Sequence, residues 1–181
     1  ESIDFTDKTD VLLGNDWLER GSACQIAASS GVGKSTLQIQ MACLFAIGKS
    51  FIGIKPTRQL KSVIIYAENS DRDNARAMRS IVERIGVSNE FTPEDHAAIC
   101  RNVVFRECYS ESGPEFVRLA RRIVAEEKPD LMWLDPLAAY AGDDISKQTV
   151  IASFLRKGLH PIAKEFGFAW MIINHFTKPS G

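Results

Sequence analysis

Apolar residues along this chain fall into two alternating rhythms. Residues 23–28, 62–67, 131–134 and 168–174 are short, nearly continuous apolar runs rich in Val, Ile and Trp, the pattern of strands buried on both faces. A weaker run at 102–106 predicts one more strand. Between them the spacing turns helical: 37–46, 71–85 with Ala75, Met78, Ile81, Val82 and Ile85 on one side, and 114–127 opened by Pro114. Gly86 is placed to stop the second helix, and a helix capped by Ser146 runs towards Glu165 with a bend or break near Pro161. The residues before Ala23 read as an opening loop. Strands alternating with helices predict an α/β fold, a mostly parallel sheet with helices on both faces in three layers. No repeat, heptad array or low-complexity linker divides residues 1–181, so one domain is expected.

Composition narrows this picture only modestly. With 181 residues, 45% of them hydrophobic and 25% charged, the chain can bury a core without disulfides or metal. Cys24, Cys43, Cys100 and Cys108 form no C-x-x-C pair, which favours free thiols over a structural metal site. A polar start (Glu1, Asp4, Asp7, Lys8, Asp10) and no apolar run near the ~20 residues of a membrane span predict a soluble cytoplasmic protein without membrane contact. The net charge of −1 gives no global signal for nucleic acid. Arg118, Arg121 and Arg122 cluster on one predicted helix, where a solvated face is the commoner explanation.

The strongest chemical signal is Ala28-Ser-Ser-Gly-Val-Gly-Lys-Ser-Thr36, a G-x-x-x-x-G-K-[ST] phosphate loop with Ala28 where the first glycine is expected. It lies between a predicted strand and a predicted helix, where loop amides and the helix N-terminus can surround a polyphosphate. Ser29, Ser30, Gly31, Val32, Gly33, Lys34, Ser35 and Thr36 are therefore the candidate nucleotide-binding residues. Lys34 is suited to the β and γ phosphates of ATP, and the Ser35 hydroxyl to Mg²⁺. Gly31 and Gly33 supply backbone conformations and close approach that a Cβ would obstruct.

Two carboxylates stand at predicted strand ends. Asp130-Leu-Met-Trp-Leu-Asp135-Pro is an apolar strand closed by an aspartate able to hold magnesium, although an Asp-Pro turn explains the same residues. Glu68 follows the run ending at Ala67, at the edge where open α/β sheets do chemistry, and could polarise a water. Ser70 and Asp71 are the better caps for the next helix, which leaves Glu68 available. At a third strand end, Asn174 or His175 could touch a γ phosphate and report its loss, or simply be structural.

Together these segments resemble the RecA-like ATPase family that includes the RepA-type hexameric replicative helicases. The resemblance runs through Trp17-Leu-Glu-Arg-Gly21, the phosphate loop, Ile65-Tyr-Ala-Glu68, Trp133-Leu-Asp-Pro-Leu137 and Asn174-His-Phe-Thr-Lys178, nearly the whole chain. It implies Glu68 as catalytic base, Mg²⁺ held by Asp135 with Ser35, and His175 as γ-phosphate sensor with Lys178 nearby. Asn174 stands where the family often has another histidine. The resemblance also implies a sensor strand lying between the phosphate-loop strand and the Asp135 strand. It further implies a homo-oligomeric, hexameric ring with an arginine finger from the neighbour, and a core that continues past Gly181.

Three functions follow as expectations: an ATPase driving translocation on or unwinding of single-stranded DNA in replication, an ATP-dependent DNA-binding or loading protein without helicase activity, and a small-molecule kinase. Glu68 and the His-x-x-Lys pattern count against the last.

Overall fold

The computed structural model describes residues 10–68, 70–142 and 148–176. A small antiparallel hairpin, β1 (Val11–Leu13) and β2 (Leu18–Glu19), precedes the main sheet. Five parallel strands follow: β3 (Ala23–Ser29), β4 (Ser62–Tyr66), β5 (Val103–Glu107), β6 (Leu131–Asp135) and β7 (Ala169–Phe176). Their spatial order is β3-β7-β6-β4-β5, so the last strand in sequence inserts beside the first, between β3 and β6. The expected α/β architecture and position of the sensor strand are both found.

Helices α1 (Lys34–Ala46), α2 (Asp71–Asn89), α3 (Pro93–Asn102), α4 (Gly113–Glu127), α5 (Leu137–Tyr140), α6 (Gln148–Ser153) and α7 (His160–Phe166) complete the elements. Side chains alternate along β6: Leu131 and Trp133 join a core with α1, α2 and α3, while Met132 and Leu134 join a second core with α4, α5 and α7. Every residue of β4 and β6 is buried, which is why those strands read as unbroken apolar runs. The buried indoles find partners, Trp133 Nε1 donating to Ser62 Oγ (3.2 Å) and Trp170 Nε1 to the Leu159 carbonyl (2.9 Å).

Two expectations are corrected, and one helix is new. The opening segment holds the β1–β2 hairpin, tied to the loop before β4 by Gly14 N–H donating to the Lys55 carbonyl (2.8 Å). Gly86 does not end α2, which continues to Asn89 and stops where Glu90 turns left-handed. Gly86 instead gives Phe91 room, since a Cβ there would lie 3.3 Å from Phe91 Cδ2. Helix α3, for which the apolar pattern gives no period, is started by a capping box: Thr92 Oγ1 accepts from Asp95 N–H, the Asp95 carboxylate accepts from Thr92 N–H, and Pro93 opens the first turn.

The expected break near Pro161 takes the form of a π-helical stretch, Phe154–Leu159, joining α6 to α7. Proline lacks the N–H that continues an α ladder, and a wider turn just before it absorbs the change of register. Ser146, the expected cap, lies outside the described residues. No helix among the described residues is long and apolar enough to cross a membrane.

Candidate functional site

The carboxyl ends of β3, β7, β6 and β4 bring the sequence-selected residues to one edge of the sheet. Helix α1 starts there with no capping side chain and no acid in its first turn, its N-cap being Gly33 with φ 93°. By contrast α2 is capped by Ser70 and α3 by Thr92. The first amides of α1 therefore lack side-chain partners at the positive end of the helix dipole, the arrangement that suits an anion. Gly31 (φ 79°) and Gly33 hold left-handed conformations that L side chains rarely adopt, and a Cβ on either would point into open space. Ser29 ends β3, Ser30 to Gly33 form the exposed loop with Val32 at its surface, and Thr36 is exposed in the first turn of α1.

Ala28 is no obstacle. It sits in the extended backbone of β3, paired with His175 of β7, so nothing there requires glycine. Its carbonyl accepts from Lys34 Nζ (3.0 Å), as does that of Ser29 (2.6 Å), and Lys34 is only 6% exposed. The lysine is thus buried at the loop, its ammonium held by two carbonyls at the end of β3.

Ser35 Oγ donates to Asp135 Oδ2 at 2.8 Å, joining the start of α1 to the end of β6. Burial pushes the Asp135 carboxyl above its ordinary range and the nearby Glu68 carboxylate adds to that, while the Ser35 hydroxyl, His175 and Lys34 pull it down. Those influences put Glu68, His175, Lys34 and Ser35 around one buried carboxylate. Glu68 itself is exposed, just past β4, and Ser70 rather than Glu68 caps α2.

Among the described residues, four buried side-chain atoms have no hydrogen-bond partner: Gln38 Nε2, Asn74 Nδ2, Tyr140 Oη and His175 Nε2. All four belong to elements that leave or reach the loop-bearing edge of the sheet, α1, α2, α5 and β7. An unpaired buried polar atom costs about 1–3 kcal/mol, and of the four His175 Nε2 is on the residue level with Ala28 of the phosphate loop, where a ligand would satisfy it, while Asn74 also acts on the Tyr66 hydroxyl. Lys178 lies outside the described residues.

Sequence reasoning missed one feature of the site. Tyr66, the last residue of β4 and level with Asp135 in the sheet register, donates its hydroxyl to Asp71 at the start of α2. This bond spans the short connection that carries Glu68. A hydroxylated aromatic closing a strand, one residue before an Ala-Glu pair, was the available signal. The expected solvated arginine face on α4 is seen for Arg118, which lies 3.9 Å from Glu115 with both side chains largely exposed. Arg121 pairs with Glu165 of α7.

The residues present fit a magnesium nucleotide: an uncapped helix N-terminus with left-handed glycines for the phosphates, and a hydroxyl paired with a single buried carboxylate for the cation. No group of three or more His, Cys, Asp or Glu side chains able to hold a metal alone occurs among the described residues. A site with so few protein ligands suits a cation that keeps waters and phosphate oxygens in its shell.

No curated protein matches the chain. A family model described as an AAA domain matches residues 4–181. The chain belongs to that family, and is an AAA-type ATPase domain with a P-loop for nucleotide binding and hydrolysis.

Proposed function

We propose that the chain hydrolyses Mg-ATP and couples the cycle to translocation on single-stranded DNA as one subunit of a homo-oligomeric ring in the cytoplasm. The observation that carries the ATPase part is the Ser35–Asp135 hydrogen bond beneath an uncapped α1, with Glu68 and His175 close enough to perturb the same carboxylate. The DNA and ring parts rest on the resemblance to RepA-type helicases.

In this reading the loop amides from Ser30 to Gly33 and the first turn of α1 bind the phosphate chain, and Lys34 leaves its carbonyl partners to contact the β and γ oxygens. Ser35 and Asp135 hold the cation. Bound there, magnesium would supply neutralisation of the charge developing on the phosphates. Glu68 orients a water and accepts its proton, and the Tyr66–Asp71 bond steadies the loop bearing that carboxylate. His175, with Nε2 unpartnered and backbone in register with Ala28, contacts the γ-phosphoryl group and transmits its loss along β7.

The test is steady-state ATP turnover with and without single-stranded DNA, alongside nucleotide binding. Stimulation by DNA, with turnover abolished in Lys34→Ala and in Glu68→Gln, supports the whole reading. Turnover without stimulation leaves the ATPase and moves the coupled partner to a protein. Normal turnover in Glu68→Gln would overturn the catalytic assignment, and strand displacement separates unwinding from loading.

A further inference from the structure

Two helices carry clustered arginines, and the structure treats them differently. On α4, Arg118 faces Glu115 and Arg121 is paired with Glu165. On α2, Arg72, Arg76 and Arg79 are all exposed, and among the described residues none forms an ion pair. At 100° per residue, positions 72, 76 and 79 fall within a narrow arc and make one stripe about 10 Å long.

The stripe is costly where it stands. Like charges at i,i+4 destabilise a helix by about 0.2–0.5 kcal/mol per pair, and cations at a helix N-terminus oppose the dipole. The two acids of the first turn are occupied elsewhere: Asp71 accepts from Tyr66, and Asp73 is held by Ser70 through Oγ to Oδ2 (2.7 Å). Asp73 still feels Arg76 and Arg72 through space, the Ser70 hydrogen bond being the larger influence holding its carboxyl below its usual range. A row of cations that forms no ion pair among the described residues, with Asp73 within electrostatic reach of Arg72 and Arg76 but held by Ser70, is complementary to an external row of anions.

Two further facts choose among anions. A line of three guanidinium groups matches a running phosphodiester chain better than one isolated phosphate. Tyr109, 56% exposed after β5, follows Cys108, whose N–H donates to the Tyr66 carbonyl while the Tyr66 hydroxyl donates to Asp71, and this chain of contacts brings its ring towards the first turn of α2, where an unpaired base can stack.

We infer that the Arg72–Arg76–Arg79 face of α2, with Tyr109 at its head, binds the phosphate backbone of single-stranded nucleic acid. The inference rests on the proposed coupling to single-stranded DNA and gives it a location. Because α2 begins three residues after Glu68, strand binding here bears on the loop that carries the candidate base.

The experiment measures fluorescence anisotropy of labelled oligothymidine against salt for the full chain, for the triple variant Arg72→Gln, Arg76→Gln, Arg79→Gln, and for the control Arg118→Gln, Arg121→Gln, Arg122→Gln. Glutamine keeps helix propensity, so the α2 variant folds and melts no lower than the parent. The expected result is at least tenfold weaker binding by the α2 variant, with the log–log salt slope smaller by about 2, from about 0.7 per lost single-strand contact. The control stays within about twofold, and DNA-free ATP turnover of the α2 variant is unchanged. A parent that binds and an α2 variant that binds equally well sinks this site alone. A parent that does not bind the oligonucleotide at all sinks the DNA reading and this site together. An α2 variant that keeps DNA affinity but loses concentration-dependent turnover assigns the stripe to a neighbouring subunit and overturns the inference.

Discussion

Strand β6 begins one residue after one buried aspartate and ends on another, and the two live in opposite chemical worlds. Asp130 is 7% exposed and Asp135 8%, so burial does not distinguish them. Asp130 accepts from four donors: Arg20 Nη2, both terminal nitrogens of Arg58, and Lys61 N–H. Arg20 also donates to the Gly167 carbonyl, so this cluster ties the loops at the amino end of the sheet together. Asp135, at the carboxyl end, has one donor among the described residues, Ser35 Oγ, and another carboxylate nearby. A buried charge with its partners supplied is a structural device, whereas one left short of partners reserves its capacity for a ligand.

The largest expected effects are on turnover at the carboxyl end. Lys34→Ala should remove nucleotide binding or turnover, and Glu68→Gln should retain binding while kcat falls by about 10²–10⁴, the range of a lost general base. Pre-steady-state binding with a fluorescent nucleotide separates the two variants.

Next in size is the loss of Asp130. Asp130→Ala strands Arg20 and the amide of Lys61, and should destabilise the fold by about 2–3 kcal/mol, at the low side for a broken buried pair because Arg58 is half exposed. At this chain length that lowers Tm by about 4–12 °C in a calorimetric scan. Nucleotide chemistry in the surviving folded protein should be retained.

Asp135→Asn should do the reverse, abolishing magnesium-dependent turnover while leaving Tm unchanged or higher. The sign follows from the raised folded-state pKa. Above that pKa the folded chain carries a buried charge it disfavours, and the penalty disappears as pH falls through the raised value. A marked fall in Tm for this variant would erase the contrast with Asp130. Protons and magnesium also compete for the carboxylate, so the magnesium concentration needed for half-maximal turnover should begin to rise, on acidification, at a higher pH than an ordinary aspartate would give.

The smallest effect concerns the loop. Gly33→Ala forces a side chain into φ 93° and should cost about 1 kcal/mol without a clash, because the added Cβ meets open space. Denaturant melts measure the cost, and nucleotide affinity should fall with it if the cap geometry positions the phosphates.

Much of the site was legible because its signals are local. The phosphate loop is contiguous, and Glu68 and Asp135 each end an apolar run. Helix α3 was missed because Ala98 and Ile99 are its only fully buried side chains, too few to set a period. The extra length of α2 was hidden because Gly86 usually ends helices, and only contact with Phe91 explains it here. The Tyr66–Asp71 bond had only a faint sign, a hydroxylated aromatic closing a strand, and the four unpartnered buried atoms had none in residue order.

Since burial on one or both faces imposes a period on adjacent residues, the sequence by itself determined the five strands of the main sheet and the helices with a clear apolar period, though not α3 or the β1–β2 hairpin. It also determined the phosphate loop, whose spacing is fixed within one turn of backbone. The position of β7 between β3 and β6 was implied by the family resemblance and by no local pattern, and the tertiary structure shows what it does, setting His175 beside Ala28 and bringing Ser35 to Asp135. Only the tertiary structure decided that Asp130 is satisfied and Asp135 is not. Hydrogen-bond partners of buried groups come from residues far apart in the chain, and strand order, which no local period encodes, chooses them.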